Sequence, residues 1–286
     1  MKKLIVDKKY NNKKLNRFLK DTFPRLSDNL FYKTLRKKDI KVNGKRVSEN
    51  TVLKENDEVL VYIADDLLEE KFDLNVVFED DNILLVNKPQ GIEVTGSQSL
   101  TEFIHKKYAV SKFLPMPCHR LDRNTFGLVL FAKNEDALLI LLDAFKNHKI
   151  EKHYLALVYG IPKVKKQKME AYLFKDSKKK MVYISDSFKK GYLKIITSFT
   201  LLKRYQNDTS LLDVEIETGR THQIRAHLAH IGLPIIGDGK YGINEINKKM
   251  GAKFQKLCSY RIVFHFDEEN LLSYLDNKEF KIKVSF

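Results

Sequence analysis

Two regimes of apolar spacing divide this chain. In the first sixty or so residues Leu15, Phe18 and Leu19 recur on one helical face, and Ser27 stands where it can cap a second helix carrying Leu30, Thr34 and Leu35. Residues 41–47 form a strand pair around Asn43-Gly44, a dipeptide that tolerates the positive φ angles of a type I′ turn, and 57–63 read as a closing strand. Beyond residue 75 the runs lengthen. Residues 76–78 and 83–86 flank Glu-Asp-Asp-Asn as a hairpin, which leads into Asn87-Lys88-Pro89-Gln90-Gly91, a turn where Pro89 fixes φ and Gly91 supplies freedom. Asn134 opens a helix reaching 147, with Leu138, Leu141, Leu142 and Phe145 apolar. Strands are expected over 154–159, 195–204 and 210–217, the last two joined by Gln-Asn-Asp-Thr, and a helix over 221–231. Hairpins alternating with helices predict an α+β architecture with a mixed, mostly antiparallel sheet flanked by helices.

Charge sharpens the division. The chain carries 52 Lys+Arg against 37 Asp+Glu, a net +15. Residues 1–63 hold 17 basic and 8 acidic side chains, and residues 163–194 hold 11 lysines and 3 acids, so the excess lies in these two segments. Clustered positive charge is the footprint of a polyanion, nucleic acid being the usual one. Between the basic start and the longer strands, residues 64–74 reverse the sign, and the domain junction is expected there: a module over 1–63, an acidic linker over 64–74 and a larger domain over 75–286. The lysine-rich 163–194 is either an extended hairpin gripping phosphates or a solvated loop.

Several classes fall away. Cys118 and Cys258, the two cysteines, form no close-spaced pair, which excludes a disulfide framework or a cysteine-rich zinc site and fits a reducing compartment. His119, His222, His227 and His230 lack metal-ligand spacing, and no dinucleotide fingerprint or P-loop is present, so neither metal nor cofactor is expected. The start is too short in apolar residues for a signal peptide, and no run approaches the ~20 needed to span a bilayer. A cytoplasmic monomer without membrane attachment is the expectation.

One stretch carries chemistry: His119-Arg120-Leu121-Asp122-Arg123-Asn124-Thr125-Phe126-Gly127 sets an aspartate between two arginines ahead of an apolar run. Flanking guanidinium groups favour the ionised form of a carboxylate, which suits a nucleophile or charge stabiliser better than a general acid. A surface ion-pair loop entering a strand would look the same from spacing alone.

Further matches decide between these readings. Lys88-Pro89 with Gly91, His119 to Asp122 with Thr125 and Gly127, Lys152 with Tyr154 and Ala156, Gly219 to Arg225, and Gly237-Asp238 with Tyr241-Gly242 occur in the order and spacing of the RluA/RluD-type pseudouridine synthases, which residues 76–286 closely resemble. Phe126 stands where that family usually has serine, and Cys258-Ser259 where a His-Ala pair often follows the leucine equivalent to Leu257. The resemblance implies that uridine in RNA is isomerised: the bond to uracil nitrogen 1 breaks, the base turns, and carbon 5 bonds to the sugar, with no electron acceptor, metal or methyl donor. It makes Asp122 the catalytic carboxylate, acting through a covalent sugar adduct or a glycal intermediate, and Arg225 its partner. It also places Tyr154 against the uracil with its hydroxyl near carbon 5, Arg120 in the RNA stack as the base leaves, and Leu257 beneath the base. Residues 13–62, with Arg36, Lys37, Lys38, Lys41, Lys45 and Arg46 crowded where a helix meets the Asn-Gly hairpin, resemble the S-four-like RNA-binding module of ribosomal and RNA-modifying proteins. Large-subunit ribosomal RNA is the expected partner, with transfer RNA the alternative. The competing readings are a catalytically silent RNA-binding or ribosome-assembly factor on the same fold, a base-excising glycosidase and, less well matched, an RNA methyltransferase.

Overall fold

The computed structural model describes residues 1–23, 26–63 and 73–286, and the chain divides into two units, Met1–Asp73 and Leu74–Phe286. Residues 64–72 of the acidic stretch lie outside the described residues.

In the first unit β1 (Lys2–Ile5) precedes helices α1 (Leu15–Thr22) and α2 (Asp28–Arg36). Ser27 caps α2, its hydroxyl accepting the Leu30 N–H at 3.2 Å, and Asp28 in the first turn complements the helix dipole. The helix stops where Lys38 turns left-handed at φ 58°. Strands β2 (Ile40–Val42), β3 (Lys45–Arg46) and β4 (Glu58–Val61) complete an antiparallel sheet in the order β1-β4-β2-β3. Asn43 and Gly44 both take positive φ, 49° and 76°, as a type I′ turn requires. Asn43 also staples its turn to β4: its Nδ2 donates to Asp57 Oδ1 at 2.8 Å and its Oδ1 accepts the Glu58 N–H at 2.9 Å. Leu15, Phe18, Leu19, Phe31, Leu35, Ile40, Val59 and Val61 pack into one core. Strand β1 has no counterpart among the elements expected from the sequence; two lysines followed by Leu4 and Ile5 show no alternation and carry little signal until β4, more than fifty residues on, pairs with them.

The second unit is built on an eleven-stranded sheet. Its first strands are β5 (Val76–Glu79) and β6 (Ile83–Lys88); helix α3 (Leu100–Lys107) follows, then β7 (Met116–Pro117), β8 (Phe126–Ala132) and helix α4 (Glu135–Lys146). Strands β6 and β8 are almost continuously apolar because both faces are buried. Asn134 caps α4, accepting the Ala137 N–H at 2.8 Å, and the helix buries Ala137, Leu141 and Ala144. Leu142, expected on the apolar face, is instead exposed: Ala137 and Ala144 narrow the buried stripe and leave it on the outer side. Strands β9 (Ile150–Tyr159), β10 (Lys166–Asp176), β11 (Met181–Ser185), β12 (Leu193–Arg204) and β13 (Thr209–Ile216) follow. The lysine-rich segment is therefore a hairpin at the sheet edge, β10 paired with β11 from Tyr172↔Ser185 to Asp176↔Met181. Helices α5 (Gln223–His230) and α6 (Asn244–Lys249) lead to β14 (Leu257–Phe264) and β15 (Glu279–Lys281).

The main path of the sheet runs β11-β10-β12-β13-β9-β14-β8-β6-β5, with β15 on β14 and β7 on β8. Its parallel pairing joins β14 to β8, with Cys258 opposite Phe126 and Ser259 opposite Gly127. This seam unites the two halves of the sheet just beyond Asp122. Gly127 has φ 113°, and a Cβ there would lie 2.1 Å from the Ser259 carbonyl oxygen. Gly127→Ala is expected to cost roughly 3 kcal/mol or more, since it adds both a clash and a forbidden φ. Denaturant unfolding checks this; a midpoint equal to wild type would show that the strands separate there at no cost.

Candidate active site

Asp122 lies in the turn between β7 and β8, and that turn is held from beneath by a buried ammonium. Lys88, at the end of β6, is 0% exposed, and its Nζ donates to the carbonyls of Pro89 (2.9 Å), Ile92 (2.9 Å) and Arg123 (3.1 Å). Burial pushes its pKa down to about 8, against the opposing pull of Asp122 and Glu93. The turn is also sewn to the Pro89–Gly91 loop: Gly91 N–H donates to the Arg123 carbonyl at 3.0 Å, and Arg123 Nε donates to the Gly91 carbonyl at 2.8 Å. Gln255 Nε2 reaches Thr125 Oγ1 at 2.6 Å.

The cation paired with Asp122 is Arg225, from the first turn of α5, not the flanking arginines. Arg225 Nη1 donates to Asp122 Oδ2 at 2.8 Å, whereas Arg123 turns to Gly91 and Arg120 stays exposed. Arg225 is itself only 6% exposed, and its Nε and Nη2 donate to Asp238 Oδ2 and Oδ1 at 2.7 and 2.9 Å. Asp238, 0% exposed, also accepts the N–H groups of Lys240 (2.8 Å) and Tyr241 (3.1 Å). Burial opposes the Arg225 charge, but Asp238 and then Asp122 outweigh it and raise its pKa; burial likewise opposes the Asp238 charge, and Arg225 outweighs it. Arg225 is thus fixed by one carboxylate and presented to the other. Asp122 Oδ1 is left without a protein hydrogen bond among the described residues.

Asp122 and Arg225 line a cavity of about 520 Å³, together with Arg120, Tyr154, Leu257, Lys152 and Arg220. Tyr154 stands on β9, 5% exposed, with its phenol pKa raised by burial and by the charge of Asp122, so the ring is neutral at ordinary pH. Leu257 opens β14, opposite Ala156 of β9. Lys152 is buried with its Nζ 5.2 Å from the Phe145 ring centroid, and no described carboxylate pairs with it. The roles of Asp238, Lys88 and Lys152 escape a reading of the sequence, although all three sit in the family motifs; a buried acid and a buried lysine declare themselves only once their burial is known.

The histidines are spoken for separately. His119 Nε2 accepts the Leu130 N–H at 3.1 Å, its pKa pushed down to about 3 by burial and by Lys152. His222 does not cap α5 with its side chain; it takes left-handed φ 54° at the N-cap, and its Nδ1 is 2.9 Å from Tyr241 Oη. His227 meets Thr197 and His230 meets Asp186. Among the described residues no group of three or more His, Cys, Asp or Glu side chains could hold a metal ion, and no helix is long and apolar enough to cross a membrane.

In the first unit Arg36, Lys37 and Lys38 end α2, and Lys45 and Arg46 form β3; all five are exposed and none has an ion pair among the described residues. Arg46 Nη1 donates to the Lys38 carbonyl at 3.2 Å, bringing the hairpin to the helix end.

A carboxylate oxygen left available in a cavity lined by arginine and lysine suits one demand, the stabilisation of positive charge growing on a sugar carbon of a polyanion, as in enzymes that open a glycosidic bond within a nucleic acid. Residues 82–230 match the RNA pseudouridylate synthase family. The chain is 31% identical over 283 residues to the ribosomal large subunit pseudouridine synthase C of Buchnera aphidicola subsp. Acyrthosiphon pisum (strain APS), covering 92% of this chain and 88% of that one. It is 34% identical to an uncharacterized RNA pseudouridine synthase of Mycoplasma capricolum subsp. capricolum, covering 97% and 96%. Human RNA pseudouridylate synthase domain containing 1 and domain containing 4 share the fold, with TM-scores of 0.58 and 0.59 at 22% and 19% identity, covering 74% of this chain and 91% and 88% of theirs. The chain belongs to the RNA pseudouridylate synthase family, and it is an isomerase.

The Lys88 cradle gives the enzyme a pH dependence with a definite sign. An ammonium offers three N–H groups to three carbonyls; a neutral amine offers two, so one carbonyl of the Asp122 turn loses its donor. Turnover is expected to fall as pH rises through about 8. Stability moves the other way for this group: its folded pKa lies below the ordinary lysine value of 10.5, so over that window the unfolded chain binds more protons and the contribution to stability rises with pH. Single-turnover rates and unfolding midpoints between about pH 6.5 and 9 separate the two effects. A rate that is flat to the upper limit would show that the turn does not depend on the third hydrogen bond.

Proposed function

We propose that this enzyme isomerises a uridine of large-subunit ribosomal RNA, with Asp122 as the catalytic carboxylate. The observation that carries the assignment is the 2.8 Å bond from Arg225 to one oxygen of Asp122, which leaves the other oxygen without a described protein partner in the cavity. The name of the Buchnera relative supports the choice of RNA.

The isomerisation breaks the bond from the sugar anomeric carbon to uracil nitrogen 1 and makes one to carbon 5. Carbon 5 loses its proton, nitrogen 1 ends carrying one, and atoms and electrons balance without a co-reactant. Asp122 supplies negative charge opposite the anomeric carbon as the first bond opens, either by attacking it or by stabilising a glycal-type intermediate. Arg225 is the positioning residue: with Asp238 holding two of its nitrogens, it keeps Asp122 in one orientation without moving during the reaction. Tyr154 stacks against the extruded base, and its neutral hydroxyl, near carbon 5, relays the proton. Leu257 packs beneath the ring. Arg120, exposed at the cavity, enters the RNA stack as the base leaves and offsets part of an unstacking cost of a few kcal/mol. The first unit, with Arg36, Lys37, Lys38, Lys45 and Arg46, acts as an S-four-like module gripping RNA phosphates.

Asp122→Asn keeps the shape and removes the charge. Its turnover is expected to drop on the order of 10³–10⁴-fold, the scale of losing a catalytic carboxylate, with RNA affinity within a small factor of wild type. Tritium release from RNA labelled at uracil carbon 5 measures this, and free uracil in solution would point to a glycosidase instead. Residual activity near wild type would sink the assignment.

Tyr154→Phe keeps the stacking surface and loses the hydroxyl. Proton relay through that oxygen predicts a turnover loss of roughly 10²-fold or more, with an uncommitted intermediate accumulating. Unchanged turnover would mean that Tyr154 only stacks.

A further inference from the structure

Beside the catalytic cavity lies a second one of about 330 Å³, and His222 lines both. Its walls are the turn joining β10 to β11 and the residues that follow Asp238. Lys175, Lys180 and Lys240 line it, with Ser177 and Thr221, and none of its described lining residues is acidic. Part of the charge in this segment is neutralised in place: Lys168 of β10 pairs with Glu217 at 2.6 Å and Lys194 of β12 with Glu170 at 2.8 Å. Lys175 and Lys180 have no ion pair among the described residues, and Lys240 braces the turn by donating from Nζ to the Lys180 carbonyl at 2.6 Å. Burial pushes the His222 pKa down to about 4, so the ring adds no charge at ordinary pH and the positive potential rests on the lysines.

The turn is also locked to the catalytic floor. Tyr241 Oη accepts the Val182 N–H from β11 at 2.9 Å and meets His222 Nδ1 at 2.9 Å, while its ring lies 5.3 Å from the Arg225 guanidinium carbon. Hydroxyl donors and unpaired ammonium groups without a carboxylate among them suit an oxyanion, and lysine binds phosphate as a point charge without selecting a base.

We infer that this cavity binds a backbone phosphate of the RNA strand whose uridine occupies the adjoining active site. The inference deepens the proposed function and rests on it. The hairpin thus sets the register of the strand, while the catalytic cavity takes the base.

The test uses the full chain and a large-subunit ribosomal RNA transcript carrying uracil tritiated at carbon 5. The variants are Lys175→Gln with Lys180→Gln, compared with Lys163→Gln, which removes a lysine from the same segment outside the cavity. The paired variant should bind the transcript roughly tenfold more weakly at physiological salt. Its log–log salt slope should fall by roughly 0.7–0.9 for each phosphate that the variant no longer neutralises, while Lys163→Gln keeps the wild-type slope. Equal slopes in the paired variant and Lys163→Gln would overturn the subsite. Absence of tritium release by the wild type would overturn the catalytic reading instead, and the slopes would still judge the subsite.

Discussion

A guanidinium buried between two carboxylates is the constraint around which the catalytic unit is organised. Arg225 cannot be left charged in the interior without compensation, since one unpaired buried charge costs several kcal/mol. Its fork is satisfied by Asp238 on one side and Asp122 on the other. That demand fixes three separate stretches at once: the start of α5, the turn at Asp238, and the β7–β8 turn. Gly237 follows from it: with φ 79°, a Cβ there would lie 2.1 Å from the Phe254 carbonyl oxygen, so the chain reaches Asp238 only through glycine. Because Asp238 is wholly buried and Asp122 is not, the arginine is anchored at one end and functional at the other.

Lys88 applies the same logic beneath the loop. A buried ammonium serves here as a three-way clamp on backbone carbonyls, and it sets the path of the turn that carries Asp122. Two buried cations, one holding the side chain and the other the backbone, account for a single aspartate in a defined orientation. Such preorganisation is where much of an enzyme's rate enhancement originates, because polar groups do not have to turn as charge develops.

The elements with local signals were legible in the sequence. Ser27 and Asn134 announce helix starts because the capping oxygen is three residues from the N–H it serves, and Asn43-Gly44 announces its turn because both residues accept positive φ. What depended on distant pairing was hidden. Strand β1 needs β4, and the partner of Asp122 is 103 residues away, so local spacing points to the flanking arginines and only the family resemblance names Arg225. Motif order brought Asp122, Tyr154, Leu257 and Arg225 together, and all four line one cavity. It included Asp238 and Lys88 without giving either a role, because what they do follows from their burial.

The two departures from the family pattern, Phe126 and Cys258, illustrate how the fold couples what the sequence separates by more than a hundred residues. They are register partners across the parallel β8–β14 seam. Phe126 lies edge-on to Phe286, with ring centroids 5.9 Å apart, and Cys258 is fully buried. Neither lines the catalytic cavity, whereas Leu257 does. Both positions therefore belong to the seam, whereas the Asp122–Arg225–Asp238 system is anchored by the buried carboxylate of Asp238, on a different stretch of chain.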